Sequence, residues 1–214
     1  VTDWIPALLK GLTVTVQSTL LSFALAVAVS FVVGLGLRIR VVRPVFRVYV
    51  EIFRGTSAFV QIFYFFYVLP LFGVDLTPLV AGVVALGMNF GAYGSEIVRG
   101  AIEAVPRGQN EATVALGMTR FQAMRRVILP QATPTMIPPF GNILVDIMKA
   151  TALLSMISVA DLAFVGRQVL QAEGSPVLAY VPVMGLYFIF AILLGRGTQR
   201  VEATTAKALG LKGA

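Results

Sequence analysis

Long apolar runs alternate with short charged ones along the whole chain. Residues 12–37 carry no charge. As a helix they extend about 39 Å, enough to cross a hydrocarbon core of about 30 Å with some tilt. A buried helix of a soluble domain is the other reading, but such helices seldom run so far without a charge. Residues 53–72 form a second span, uncharged from Ser57 to Gly73 and rich in aromatic residues that serve packing or an interfacial belt. Residues 76–98 form a third, and Gly87 and Gly91 within it have the spacing that lets two helices approach closely. The fourth, residues 131–158, is mixed. It carries Pro134, Pro138 and Pro139, then Asn142, Asp146 and Lys149, the pattern of a kinked span that packs in protein or lines a cavity. Ser158 to Ser175 holds Asp161, Arg167 and Glu173 and reads as an outer loop or interfacial segment. Residues 176–195 are the last clean span. The pattern predicts an all-α integral membrane protein, a single transmembrane domain over residues 1–214 with about five transmembrane helices.

The longest polar interval, residues 105–130, reads as two short helices and a bend. Pro106 suits the first turn of a helix, and Gly117 is placed to end it in a left-handed conformation. Thr119 and Gln122 have capping-box spacing and open a second helix, with Phe121, Met124 and Ile128 recurring on one face and Arg120, Arg125 and Arg126 around them. Pro130 marks the exit. A solvated loop, an ordinary helical hairpin and a DNA-reading helix-turn-helix share these features; position between apolar spans argues against entry into a DNA groove.

Composition narrows the chemistry. The chain is 57% hydrophobic and 13% charged, against about 25% charged in soluble domains. It has no Cys and no His, which removes thiol nucleophiles, imidazole bases and the usual zinc and haem ligands. No P-loop is present, since Met88 and Asn89 follow Gly82 and Gly87 where Lys and Ser/Thr are needed. No cleavable signal peptide is expected, because the chain starts at Val1 with Asp3 and Lys10 and the first apolar run is too long.

The net charge of +7 is explained by topology rather than nucleic acid. An N-terminus outside and a C-terminus in the cytoplasm put Arg38, Arg40, Arg43, Arg47, Arg54, Arg99, Arg107, Arg120, Arg125, Arg126, Arg196, Arg200, Lys207 and Lys212 in cytoplasmic segments. Lys10 and Arg167 then lie outside and Lys149 within a span. The polar bend becomes a basic cytoplasmic elbow.

Two polar faces fall within spans. Asn142, Asp146 and Lys149 share a helix face by their spacing, and ionisable groups there usually face a bundle interior or a cavity. A function would explain why their cost is tolerated, with a self-neutralising Asp146–Lys149 pair as the structural alternative. Asn89, Tyr93 and Glu96 form a similar face, on which Glu96 is expected to pair with Arg99. Glu51 and Arg54 are expected to pair with each other at the start of the second span.

Residues 111–130 resemble the EAA loop of bacterial ABC importer permeases: EAA, three residues, Gly, nine residues, then I-x-L-P. Here Glu111, Ala112 and Thr113 precede Gly117, and Val127, Ile128, Leu129 and Pro130 close the pattern, with Thr113 and Val127 as its departures. E-x-F-R-G-T at Glu51 to Thr56 with Gln61, A-Y-x-x-E-I-x-R-G at Ala92 to Gly100, V-P-x-G-Q at Val105 to Gln109, and Lys149 to Ser155 resemble the polar amino acid importer branch. Ser57 and Ala150, which replace that branch's usual Pro and acid, look like the ectoine/hydroxyectoine permeases.

The resemblance implies a type I ABC importer permease fold and a permease subunit, itself no enzyme, in the bacterial inner membrane. Glu111, Ala112, Gly117, Arg120 and Phe121 would couple it to a separate ATPase, and Asn89, Asn142, Asp146 and Lys149 are its candidate pathway residues. It implies two copies of that P-loop ATPase carrying ATP and Mg, a second permease subunit (identical or homologous), an extracytoplasmic solute-binding protein, lipid around the spans, a small zwitterionic substrate with Lys149 available to its carboxylate, and no cofactor, metal or nucleic acid on this chain. A passive channel or secondary transporter without an ATPase, and a membrane-embedded enzyme working through Asp, Lys and Tyr, are the alternatives.

Overall fold

The computed structural model describes residues 4–208; Asp3, Lys212 and the side chain of Lys207 lie outside the described part. Helix α1 (Ile5–Gly36) is apolar all round, and it inverts the arrangement of a soluble helix. Its buried residues are mostly small, among them Gly11, Thr15, Ser18, Ser22, Ala26, Ser30 and Gly34, while Leu9, Leu20, Leu21 and Val32 are exposed. Lipid is as apolar as leucine, so burying large side chains between helices gains little there and close backbone packing gains more. Ser18, Thr19 and Ser30 donate to carbonyls one turn back on their own helix. Ser30 Oγ, at 2.6 Å from the Ala26 carbonyl, also lies 3.2 Å from the Gly91 carbonyl of α4 (Pro78–Glu103), while Ser22 Oγ is buried without a partner among the described residues.

Helix α4 (Pro78–Glu103) is the centre of the bundle, packed on α1, α2 (Arg43–Gly55), α3 (Ala58–Phe63) and α7 (Leu129–Ala150). Gly87, Gly91 and Gly94 form its contact with α1. A Cβ at Gly87 would lie 2.6 Å from Leu25 Cδ2 and one at Gly91 2.6 Å from Val29 Cγ1. Among the described residues, three helices are long and apolar enough to cross a membrane, and a fourth is reached if the bent pair α2–α3 counts as one span. Helix α4 is 26 residues long but less apolar, its glycines and Asn89 being what a surrounded helix tolerates.

The second span departs from the sequence expectation. Phe53 does not open it; it belongs to α2 (Arg43–Gly55), an amphipathic helix set at 106° to the arm that runs from Ala58 through α3 (Ala58–Phe63) to Phe72. Thr56 and Ser57 are extended and end the helix. The break is held by two buried amides. Asn89 Nδ2 and Gln61 Nε2 donate to the Phe53 carbonyl at 2.9 and 3.0 Å, and Gln61 Nε2 also reaches Thr56 Oγ1 at 2.7 Å. A carbonyl freed at a helix end in apolar surroundings needs such partners.

Pro130 is likewise no exit. Helix α6 (Arg120–Ala123) passes through a π-helical turn at Met124–Ile128 into α7 (Leu129–Ala150) and a 3₁₀ turn ending at Ile157. Pro130 sits in the first turn of α7, where the wide turn before it absorbs the missing N–H. One helical run therefore extends from Arg120 to Ile157, so the segment expected to span at residues 131–158 continues the elbow's second helix without a break. The segment expected to be an outer loop or interfacial forms α8 (Leu162–Glu173), whose Asp161 N-cap accepts from Phe164 N at 2.8 Å. It packs with α1 and α9 (Pro176–Ala208) around Leu8, Leu162, Val165 and Val183.

Candidate docking elbow and transport face

The elbow is built from local chemistry. Helix α5 (Arg107–Ala115) starts just after Pro106, which takes the N-cap position rather than the first turn. Its end is a Schellman motif: Met118 N donates to the Thr113 carbonyl at 3.0 Å and Gly117 N to the Val114 carbonyl at 2.9 Å, with Gly117 at φ +67°. Both halves of the capping box form, Gln122 N to Thr119 Oγ1 at 3.3 Å and Thr119 N to Gln122 Oε1 at 2.9 Å. Val105, Ile128 and Ala132 tie the elbow to the core.

What the elbow shows to solvent is the informative part. Glu111, Ala112 and Arg120 are exposed, and Val114, Leu116 and Phe121 are exposed by 75%, 74% and 71%. The sequence reading placed Phe121 with Met124 and Ile128 on one face; only Ile128 is fully buried, because the π turn changes the register beyond Met124. Val114 and Leu116 were missed altogether. Their signal was two apolar residues beside the Gly117 bend in an otherwise polar stretch. Thr113 points inward and is 4% exposed, its hydroxyl bound to the Asn110 carbonyl, which accounts for the tolerance of Thr there.

The second surface runs along α7. Asn142, Asp146 and Lys149 are all exposed. Asp146 and Lys149 form a 3.3 Å ion pair with side chains 56% and 64% exposed. Asn89 is not part of this open face. It is 4% exposed, with its amide donating to Phe53 O and to Gln61 Oε1 at 3.1 Å, so its visible role is to hold the α2–α3 break. Arg99 pairs with Glu96 at 2.6 Å, as expected, and also with Glu103 at 2.8 Å. The expected Glu51–Arg54 pair is absent among the described residues, because the Arg54 guanidinium lies over the Tyr93 ring, 5.2 Å from its centroid.

A helical bundle of several apolar spans, with charged side chains left open along one of them and an apolar-plus-acidic elbow left uncovered, defines a membrane transport subunit made to work with partners. Residues 26–201 match the family described as binding-protein-dependent transport system inner membrane component, and the chain belongs to that family. Relatives include the probable amino-acid ABC transporter permease protein y4tF of Sinorhizobium fredii, 40% identical over 96% of this chain and 90% of that protein. The L-cystine transport system permease protein TcyB of Bacillus subtilis is 38% identical over 92% and 86%, and the glutamine transport system permease protein GlnP of Escherichia coli is 32% identical over 94% and 96%. Among solved structures, a crystal structure of an amino acid ABC transporter with histidines superposes with a TM-score of 0.87 at 32% identity, over 95% of this chain and 96% of that one. An inward-facing MetNI methionine ABC transporter shares the fold, with a TM-score of 0.83 at 20% identity over 96% and 99%. The chain is the multi-pass inner-membrane permease subunit of an ABC importer with the type I fold. It is a transport subunit, not an enzyme, and its class works with a separate ATPase and a solute-binding protein.

Proposed function

We propose that this permease moves polar amino acids or related zwitterions inward, ectoine and hydroxyectoine among the candidates. The relatives, which include glutamine and L-cystine transport permeases, support the solute class. Two permease subunits, identical or homologous, form the pathway. Two P-loop ATPases carrying ATP and Mg bind beneath, and an extracytoplasmic binding protein delivers solute from above. The N-terminus lies outside and the elbow in the cytoplasm, as the arginine distribution favours.

The observation that carries the reading is the uncovered elbow, with Glu111 beside exposed Val114, Leu116 and Phe121. An apolar cluster beside a carboxylate suits a groove on a partner that supplies apolar contact and a cation. Arg120 and Gly117 complete the coupling surface, the glycine by letting the backbone turn sharply. Closure of the ATPase pair on ATP pulls the elbows, and the bundles rock between outward-open and inward-open states. Asn142, Asp146 and Lys149 line the pathway, since charges at membrane depth are retained where they face a cavity or a partner rather than lipid.

The test is uptake by right-side-out vesicles that carry the chain and its partners, loaded with ATP and offered labelled L-amino acids, ectoine and hydroxyectoine one at a time. Concentrative uptake of a zwitterion that stops on ATP depletion is expected. Uptake that survives depletion and only equilibrates the solute would instead mean a passive route.

A further inference from the structure

Glu51 and Arg54 stand three residues apart on α2 and share one face of it. Both line a cleft of about 720 Å³ between the end of α1, α2 and α4, with Arg43, Arg47 and Arg99 also on its wall. The carboxylates on the α4 side are engaged, since Glu96 and Glu103 both hold Arg99. Neither Glu51 nor Arg54 makes an ion pair among the described residues. One helical turn apart, they leave each other unneutralised.

Arg54 is also positioned. Its guanidinium lies over the ring of Tyr93, whose hydroxyl donates to the Arg54 carbonyl at 3.5 Å. The residue before it is fixed by the Asn89 and Gln61 amides on the Phe53 carbonyl, near the middle of α4. A guanidinium held over an aromatic face keeps N–H donors free for a second partner. A cation held over Tyr93 and an exposed carboxylate one helical turn away in the same cleft, neither in an ion pair among the described residues, complement a solute that carries the opposite two charges.

We propose that Arg54 and Glu51 form a charge clamp for a zwitterionic solute. Arg54 takes the carboxylate through its fork, Tyr93 holds the guanidinium plane, and Glu51 receives the cationic group. The clamp rests on the reading of the chain as a zwitterion importer and names a site within it. It differs from Asp146 and Lys149, which already neutralise each other.

The experiment measures equilibrium binding of the labelled zwitterion that the vesicles accumulate best. The sample is the purified permease–ATPase complex in detergent, free of the solute-binding protein. Wild type is compared with Arg54→Gln, Arg54→Lys and Glu51→Gln, and ATPase recovered with each variant confirms that it is assembled. Saturable binding by wild type is expected, weakened about tenfold or more in Arg54→Gln and Glu51→Gln. Arg54→Lys falls between, because an ammonium lacks the fork. The same solute with its carboxylate converted to a carboxamide should compete poorly on wild type, and that discrimination should disappear in Arg54→Gln. Unchanged affinity and unchanged discrimination in both neutral variants, or no saturable binding by wild type, would overturn the clamp while leaving the importer reading intact. If the vesicles accumulate no zwitterion at all, the importer reading itself fails and the clamp with it.

Discussion

Asp161 has no exposed surface, and it lies outside the spans at the head of α8. Burial pushes its carboxyl up to about 7, against the pull of the Phe164 N–H, the Arg167 charge and the Tyr187 hydroxyl. An acid whose folded pKa lies above its ordinary value of 3.8 holds its proton more tightly when folded. The stabilisation is complete below that ordinary value and is lost as pH rises through the folded one. The chain has no His to obscure that window. The midpoint of thermal unfolding in detergent should therefore fall as pH rises from about 5 to about 8, and Asp161→Asn should flatten the slope. A wild-type midpoint that stays level or climbs over the same range would contradict a proton held on the buried carboxyl. Asn89 gives a second prediction at this scale. Asn89→Leu strips a donor from the Phe53 carbonyl and leaves Gln61 Oε1 without its partner, a cost of about 1–3 kcal/mol. Asn89→Leu should unfold at a lower temperature than wild type; an equal midpoint would mean that the bracket holds nothing.

The helices pack by glycine and hydroxyl where soluble proteins use leucine, and the α1–α4 contact tests this directly. Gly91→Leu drives a side chain into Val29, whereas Gly100 has nothing within 4 Å of an added Cβ. The first change should cost about 1–3 kcal/mol or more and sharply reduce folded protein recovered from membranes, and Gly100→Leu should be recovered like wild type. Equal recovery of the two would contradict the packing. Elements of this kind were legible to different depths. The turn at Gly117 and the Thr119–Gln122 box are short-range chemistry, so spacing alone identified them. The break after Gly55 was hidden, because apolar composition reads the same in a straight span and in a bent one. The side chains that hold the break come from Gln61 and Asn89, and Asn89 reaches back to Phe53 from another helix. For the same reason Asn89 looked like a pathway residue. Arg54 looked like the partner of Glu51 because helical spacing cannot show that Tyr93 competes for it. The helix through Pro130 depended on a π turn that no motif announces.

At the scale of the whole molecule, orientation decides which surface meets which partner. The chain has no cysteine, so single cysteines report sidedness without background. Phe121→Cys, on the elbow, should react with an impermeant maleimide only from the cytoplasmic side, and Leu71→Cys, exposed by 81%, only from outside; the reverse pattern would invert the topology. With the elbow inside, it is the surface that a separate ATPase can reach, and no stretch of this chain can bind ATP through a P-loop. Coupling through the elbow is tested most directly by purifying the permease from native membranes in mild detergent, as wild type and as Gly117→Asp. Aspartate at φ +67° strains the bend and adds charge beside Leu116 while leaving the spans untouched. An ATPase that accompanies the wild type and is lost from an otherwise intact Gly117→Asp permease is the predicted result. An ATPase retained equally by both would contradict docking through the elbow, and one absent from both would remove the partner on which the transport mechanism depends.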